Sequence, residues 1–386
     1  MRNNFLVFGA PLIGEEEIAA VSEVLRSRWI GQGPRVKEFE TRFAAYKSSP
    51  YAVAVNSCTA AIQLALLVAD IRPGDEVITT PLTFCATVNA ILHAGGRPVL
   101  ADVDPLTQNI DPVAIAAAIG PRTRAIVPVH LTGRMCRMGE IMDLARQHGL
   151  CVIEDCAHAI ESTSVEGRAG TIGDFGCFSF YATKNLTCGE GGMVLCKTSE
   201  QAERLSRLGL HGMSRDAWKR FEGVKHMDYA VEEIGFKMNM TDIDAAIGLV
   251  QLQRIEAGLK RRYEIWQDYM AAFESLPIGL PAPIEPDGRH ARHLFSVLID
   301  EGECGLTRKQ MIEHLNRANI GTGIHYVALP EHPVYQETLG WRPEHTPHAT
   351  RLGRQTLSLP LTAGMEEADV ADVIAAVRSA FAAPRV

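Results

Sequence analysis

No apolar run in this chain approaches the roughly 20 residues that a membrane-spanning helix requires, so no such span is expected. The beginning, Met1-Arg2-Asn3-Asn4, leads only into a short apolar run from Phe5 to Leu12, broken by Gly9 and Pro11. That is not the pattern of a secretory signal, and a cytoplasmic location is expected. The nine cysteines never form a Cys-x-x-Cys pair, so neither a zinc cluster nor a disulfide framework is expected, and no metal site is read. Cys151, Cys156, Cys177, Cys188 and Cys196 stand in or beside apolar runs and read as reduced, mostly buried thiols. Positive charge is also short: 38 Lys and Arg against 46 Asp and Glu leave a formal charge of -8. A general binder of nucleic acid or of an acidic membrane is therefore not expected, although a local basic pocket is still allowed. Internal repeats and low-complexity segments are absent.

What is present is bulk and alternation. The 386 residues, 46% of them apolar, exceed one small core and match a two-domain enzyme. From Tyr51 to about Lys197 short β-type runs alternate with helical stretches. The strands read as 52–55, 76–79, 97–100, 125–129 and 150–154, and the helices as 59–69, 84–94 and 138–148. Such alternation predicts a mostly parallel sheet covered on both faces, with ligands at the carboxyl ends of its strands. Asn56-Ser57, Thr83-Phe84, His130 and Asp155 all fall there. Phe175 to Phe180 and Gly192 to Lys197 read as a closing β-pair, followed by a long helical region from Thr241 to about Leu276. After Pro277 comes a smaller α+β region. The domains are read as 1–252 and 253–386.

Several residues between these elements can carry chemistry. Ser57-Cys58-Thr59-Ala60 joins a strand to a helix, where free amides and the helix dipole make an anion site. Ser and Thr are equally at home there as ordinary N-caps. Phe84 can stack on a planar ring or serve the core. Asp155 ends an apolar strand, either facing solvent or buried against a cation. Ser179 lies five residues before Lys184, itself followed by the turn Gly189-Glu190-Gly191-Gly192. His158 either reaches the same site or packs in the core. Asn239 precedes Thr241, an N-cap for the long helix. A lysine able to form a Schiff base and an aspartate able to hold a pyridinium nitrogen are what pyridoxal phosphate most needs from a protein.

Together the motifs resemble the DegT/DnrJ/EryC1/StrS family of sugar aminotransferases over nearly the whole chain. The match begins with Ser27-Arg28-Trp29-Ile30-Gly31-Gln32-Gly33-Pro34 and continues through Asn56 to Ala61, Pro73 to Val77, Thr83 to Thr87 and Pro128-Val129-His130. It is densest at Glu154 to Ala159 and from Phe178 through Lys184-Asn185 to Gly192, and it ends with Gly235 to Gly248 and Ser358-Leu359-Pro360-Leu361. Cys156 stands where the family usually has alanine, a small change. The stretch between Lys219 and Gly235 is shorter than in some members, which leaves nucleotide contacts there unassigned.

The resemblance implies the α/β architecture of fold-type-I pyridoxal-phosphate aminotransferases, a large domain with a mostly parallel sheet and a smaller C-terminal α+β domain. It implies a homodimer with shared active sites. Lys184 corresponds to the Schiff-base lysine and Asp155 to the pyridinium partner. His158 would contact the phenolic oxygen of the cofactor and Phe84 would stack on its face. Ser57, Cys58, Thr59, Ala60 and Ser179 would hold the phosphate, joined by Asn239 from across the dimer. Trp29, Gly31, His325 and Tyr326 would line the sugar pocket. The basic stretch His211, Arg215, Lys219, Arg220 and Lys225 resembles a loop closing near the nucleotide, or is a solvated loop. Lys184 argues against the dehydratases of the family, which carry histidine there. The implied reaction moves an amino group from L-glutamate to carbon 4 of a nucleotide-linked 4-keto-6-deoxyhexose, and His158 favours carbon 4. A carbon-3 sugar or cyclic-polyol aminotransferase stays open, as does a non-catalytic cofactor-binding regulator.

Overall fold

The computed structural model describes residues 2–213 and 230–382. Five short apolar runs form β1 (Tyr51–Val55), β2 (Glu76–Thr79), β3 (Arg97–Leu100), β4 (Thr123–Val127) and β5 (Cys151–Asp155). A small flap, β6 (Thr163–Ser164) with β7 (Gly167–Arg168), precedes β8 (Phe175–Ser179) and β9 (Gly192–Cys196). Among the described residues, seven strands join in one sheet in the order β1-β9-β8-β5-β4-β2-β3. From β3 to β8 every pairing is parallel, whereas β9 runs antiparallel to both neighbours. This is the mostly parallel sheet expected, and its strands are apolar throughout because helices cover both faces.

Helices α1 (Glu15–Ser27) and α2 (Pro34–Lys47) precede the sheet, α3 (Cys58–Val68), α4 (Cys85–His93), α5 (Pro112–Ala118) and α6 (Met138–His148) cross between its strands, and α7 (Ser199–Leu208) follows β9. Seven residues of α3, from Ala60 to Leu66, are buried, so this helix is apolar nearly all round. It fills the space beside β5, β8 and β9 with Ile62, Leu64 and Leu66 among the closed side chains. The other face carries an aromatic cluster in which Phe39 and Phe43 meet Phe178 and Phe180 at ring separations of 5.1–6.0 Å. Offset and edge-on rings at this spacing attract beyond their buried area.

The long helical region read from the sequence is two helices, Asp242–Gln253 and Ile255–Phe273, broken at Arg254 with φ -107 and ψ 8. The break has partners on the N-terminal arm: Arg254 Nη2 donates to Leu12 O and pairs with Glu17, and Gln251 Nε2 donates to the same two groups. Both side chains thereby grip the N-terminal arm. At its other end the first helix presents Asp242, whose carboxylate accepts from Arg35 N–H at 3.1 Å and Val36 N–H at 2.9 Å. A carboxylate there complements the positive end of α2.

Beyond the break a second core forms. β10 (Phe295–Leu298) pairs antiparallel with β11 (Thr356–Leu359). Against them pack the helices Ile255–Phe273, Arg308–Arg317 and Glu367–Ala382, with Tyr269, Phe273, Phe295, Met311, Leu315 and Val373 closed inside. The N-terminal arm crosses between the two cores: Leu6 exchanges backbone hydrogen bonds with Asn319 and Gly321, and Gly9 lies against Thr183.

Candidate active site

A cavity of about 590 Å³ opens at the carboxyl ends of β1, β2 and β5, where they meet the second core. Its size falls within the roughly 300–1,000 Å³ of small-molecule sites. It collects Ser57, Cys58, Thr59, Phe84, Asp155, His158, Ser179, Lys184, His325 and Tyr326 from the sequence reading. These residues span 270 positions of chain, and the topology brings them to one edge.

Lys184 sits on the turn after β8, its N–H donating to Tyr181 O at 2.9 Å. Burial lowers its pKa to about 8, opposed by the Cys58 thiol and Asp155. Asp155, at the end of β5, is buried. Its Oδ2 accepts from Thr87 Oγ1 at 2.9 Å and its Oδ1 from Ala157 N–H at 3.1 Å. Burial raises the carboxyl's pKa, and these donors with the charges of Lys184 and His130 offset only part of that. Thr87 is in turn joined to Thr83 at 3.0 Å, so a buried threonine pair on α4 and the loop before it holds the aspartate.

The other wall is aromatic and imidazole. His158 Nδ1 accepts from Thr132 N–H at 3.3 Å, which leaves the proton of the neutral ring on Nε2, 3.1 Å from Tyr326 Oη. Burial, then Lys184, His293 and His325, hold its pKa well below the usual range. His325 stacks on Phe8 at 5.4 Å, its Nδ1 lies 2.9 Å from Ser358 Oγ, and burial with Lys184 holds it at about 4. Phe84 is 56% exposed and tilts toward Tyr326 at 5.8 Å, so it presents a free face to the cavity rather than filling the core.

At the helix end Ser57 is an N-cap, its Oγ accepting from Ala60 N–H at 3.1 Å. The cap uses one amide, and Cys58 and Thr59 also line the cavity. Gly192 makes the close approach possible: a Cβ there would lie 2.5 Å from Ser57 C and 2.8 Å from Cys58 N.

Other sequence candidates lie apart. Ala60 is buried behind the cap and does not line the cavity. Asn239 forms a bridge with Val55 at the end of β1, outside this chain's own cavity, and Lys237 Nζ donates to its Oδ1 at 2.5 Å. Trp29 donates from Nε1 to Gln32 O at 2.9 Å, and Gly31 O accepts from Asp242 N–H at 2.8 Å; neither lines the cavity. His211 follows α7, whereas Arg215, Lys219, Arg220 and Lys225 lie outside the described residues. His130, placed at the ligand edge by the strand pattern, is fully buried and faces inward. Its Nε2 meets Glu154 Oε2 at 2.9 Å, and that carboxylate also accepts from the N–H groups of Gly170, Ile172 and Gly173. Four donors satisfy it, which makes this a structural knot. Sequence reasoning passed over Thr87 and His293; only alternation within α4 pointed inward for the first, and nothing local marked the second.

The residues present fit pyridoxal phosphate. The buried carboxylate of Asp155 has no ion-pair partner among the described residues, and a pyridinium nitrogen would supply one. The amine of Lys184 is drawn toward its nucleophilic form. A helix N-terminus stands where an anion would sit, and an exposed aromatic face stands where a planar ring would stack.

The sequence profile of the DegT/DnrJ/EryC1/StrS aminotransferase family matches residues 11–378. The chain is 50% identical over 379 residues to the spore coat polysaccharide biosynthesis protein SpsC of Bacillus subtilis, covering 98% of this chain and 97% of that one. Its fold is similar to Spr1654 from Streptococcus pneumoniae, a candidate sugar aminotransferase solved in its PMP form, with TM-score 0.92, 32% identity and 98% and 99% of the two chains covered. It is likewise similar to DesV from S. venezuelae, with TM-score 0.85, 35% identity and 94% of each chain covered. With this agreement along nearly its full length, the chain belongs to the DegT/DnrJ/EryC1/StrS aminotransferase family, and it is a pyridoxal-phosphate-dependent sugar aminotransferase of the fold-type-I architecture.

Proposed function

We propose that the enzyme transfers an amino group from L-glutamate to carbon 4 of a nucleotide-linked 4-keto-6-deoxyhexose, giving a 4-amino-4,6-dideoxy sugar nucleotide and 2-oxoglutarate. The observation that carries the reading is Lys184 and Asp155 facing one cavity, an amine drawn down to about pKa 8 and a carboxyl short of a cation. The name of SpsC, which places that relative in polysaccharide biosynthesis, supports a sugar acceptor.

When bound, pyridoxal phosphate supplies an electron sink for the carbanion formed at Cα of the donor. Lys184 would hold it covalently and, once free, its amine would take and return the proton of the donor's Cα. Asp155 keeps the ring nitrogen protonated, with Thr87 and Ala157 fixing its two oxygens. The amides of Cys58 and Thr59 with the hydroxyls of Ser57, Thr59 and Ser179 would hold the phosphate, and Phe84 would cover one ring face. His158 directs its Nε2–H to the phenolic oxygen. Trp29, Gly31 and Asn239 serve the cavity of a second copy in a homodimer, which is why they stand outside their own chain's cavity. His325 and Tyr326 form the wall against the sugar. Orientation of this kind accounts for much of the rate enhancement. Glutamate and the keto sugar take turns in the same cavity, a ping-pong order.

The test is to incubate the loaded enzyme with L-glutamate and with dTDP-, UDP- and GDP-linked 4-keto-6-deoxyhexoses, and to locate the new amine by NMR. An amine at carbon 4 is expected; an amine at carbon 3, or glutamate consumption only with a cyclic ketone, would replace the substrate assignment. Lys184→Ala should lose the visible absorption band of the loaded enzyme and slow both half-reactions by about 10²–10⁴-fold or more. Retained turnover would remove Lys184 from its role.

A further inference from the structure

His293 belongs to no motif singled out in the sequence, yet it lies between the two groups that flank the reacting centre. It is buried, it lines the cavity, and its ring centroid is 4.5 Å from that of His158 at an interplanar angle of 39°. Its Nδ1 lies 3.0 Å from Oδ1 of Asn185, the residue after Lys184. The direction of this bond is determined by what Asn185 does on its other side. Asn185 Nδ2 reaches Glu161 Oε2 at 3.0 Å and Ala291 O at 3.0 Å, both acceptors, so the amide nitrogen points there and Oδ1 faces the imidazole. His293 therefore donates from Nδ1–H. Glu161 is also paired with Arg262, on the helix Ile255–Phe273 of the second core.

A continuous chain thus runs from buried Arg262 and Glu161 through half-buried Asn185 to buried His293 and the ring of His158. The two imidazoles, tilted against each other, carry their protons at opposite positions. His158 accepts at Nδ1 and offers Nε2–H, while His293 donates at Nδ1 and offers an Nε2 lone pair that no described residue hydrogen-bonds. Burial, then the charges of Lys184, His325, Arg262 and His290, disfavour a proton on that lone pair. A cation there would also stand against His158 and near Lys184, so only the neutral tautomer suits the pair.

We propose that His293 is a positioning residue for transamination: a neutral imidazole that holds Asn185 of the Lys184 turn, itself tied through Glu161 to the Arg262 helix, while lying against the ring of His158. The inference rests on Lys184 being the lysine that moves the proton. Holding the turn and the ring from one side chain keeps the amine and the Nε2–H of His158 in register. A misplacement of about 1 Å at such a centre costs on the order of 10²-fold in rate.

Three measurements test it. In protein with 15N-labelled histidine, with and without cofactor, His293 should show a protonated Nδ1 and an unprotonated Nε2 at neutral pH, and His158 the reverse. A cationic His293, or one protonated at Nε2, overturns the proposal and does not depend on any variant folding. His293→Phe keeps a ring against His158 but loses the bond to Asn185, and His293→Asn keeps a donor near the Nδ1 position. In His293→Phe, kcat should fall about 10- to 100-fold with KM for glutamate within about twofold, and the isotope effect with α-deuterated glutamate should rise. His293→Asn should recover part of kcat. A residue with only a structural role would lower the melting temperature in both variants and leave kcat per bound cofactor and the isotope effect at wild-type values, which also overturns the proposal. Lys184→Ala separates the two assignments. If it retains turnover, the lysine reading fails and takes this one with it; if it is inactive while His293→Phe is normal, this one fails alone.

Discussion

Thr87 Oγ1 donates a 2.9 Å hydrogen bond to Asp155 Oδ2, across 68 residues of sequence and from helix α4 to the end of strand β5. Its neighbour Thr83 completes a buried hydroxyl pair behind the carboxylate. The arrangement leaves Asp155 unable to turn away from the cavity, and it lessens, without cancelling, the cost of burying the charge.

Removing that donor should therefore act on the charged form of Asp155. A hydrogen bond to a charged group contributes about 1.5–3 kcal/mol, and about 1.4 kcal/mol corresponds to a tenfold change. Thr87→Val should lower kcat/KM roughly tenfold or more, while Thr87→Ser should stay close to wild type. Steady-state kinetics on both decide it. Unchanged kinetics in Thr87→Val would show that Ala157 N–H alone orients the carboxylate.

Phe84 separates cofactor contact from core packing. With 56% of it exposed, Phe84→Ala should leave the unfolding free energy of the apoprotein within about 0.5 kcal/mol. Loss of stacking, about 0.5–1.5 kcal/mol, should weaken cofactor affinity roughly two- to tenfold in a fluorescence titration. A large stability loss with unchanged affinity would assign Phe84 to the core instead.

Gly192 and Gly31 make opposite predictions. A Cβ on Gly192 would lie 2.5–2.8 Å from backbone atoms of Ser57 and Cys58, which cannot yield as a side-chain tip can. Gly192→Ala should cost about 1–3 kcal/mol of stability and weaken cofactor binding by displacing the start of α3. Around Gly31 a Cβ meets nothing within 4 Å in this chain, so Gly31→Ala should leave the melting temperature unchanged. Thermal melts of both, with and without cofactor, measure the difference.

The buried imidazoles make the protein acid-sensitive. His158, His290 and His293 are pushed well below 6.5 by burial, and His325 to about 4. Below the unfolded value the unfolded chain binds more protons than the native one, so stability should fall as pH drops from about 6.5 toward 4. Lys184 is also depressed, from 10.5 to about 8. Its contribution has the same sign in another window: stability should rise with pH between about 8 and 10.5, and Lys184→Met should abolish that part of the slope. Urea unfolding of the apoprotein across these ranges tests both, and a flat profile below pH 6.5 would show the histidines to be solvated.

The sequence by itself determined the local features of this enzyme. Alternating runs placed the seven sheet strands and three of the helices of the larger body within two residues, because burial on both faces of a parallel sheet demands apolar strands and short crossovers, whereas Glu15–Ser27, Pro34–Lys47, Pro112–Ala118 and Ser199–Leu208 went unread. The same local signals marked Lys184 before its glycine turn, Asp155 at a strand end and the Ser57–Ala60 helix start. It read the Thr241 to Leu276 region without the break at Arg254, since that break answers to Leu12 and Glu17, more than 230 residues earlier. Only the tertiary structure decided which polar residues meet. His130 stood at the right edge by strand counting but turned inward to Glu154. Thr87 reached Asp155 and His293 reached Asn185 across 68 and 108 residues. Helical and strand periodicity is a property of neighbours along the chain, whereas a buried hydrogen bond is settled by whichever donor the packed fold brings to an acceptor that has lost its water.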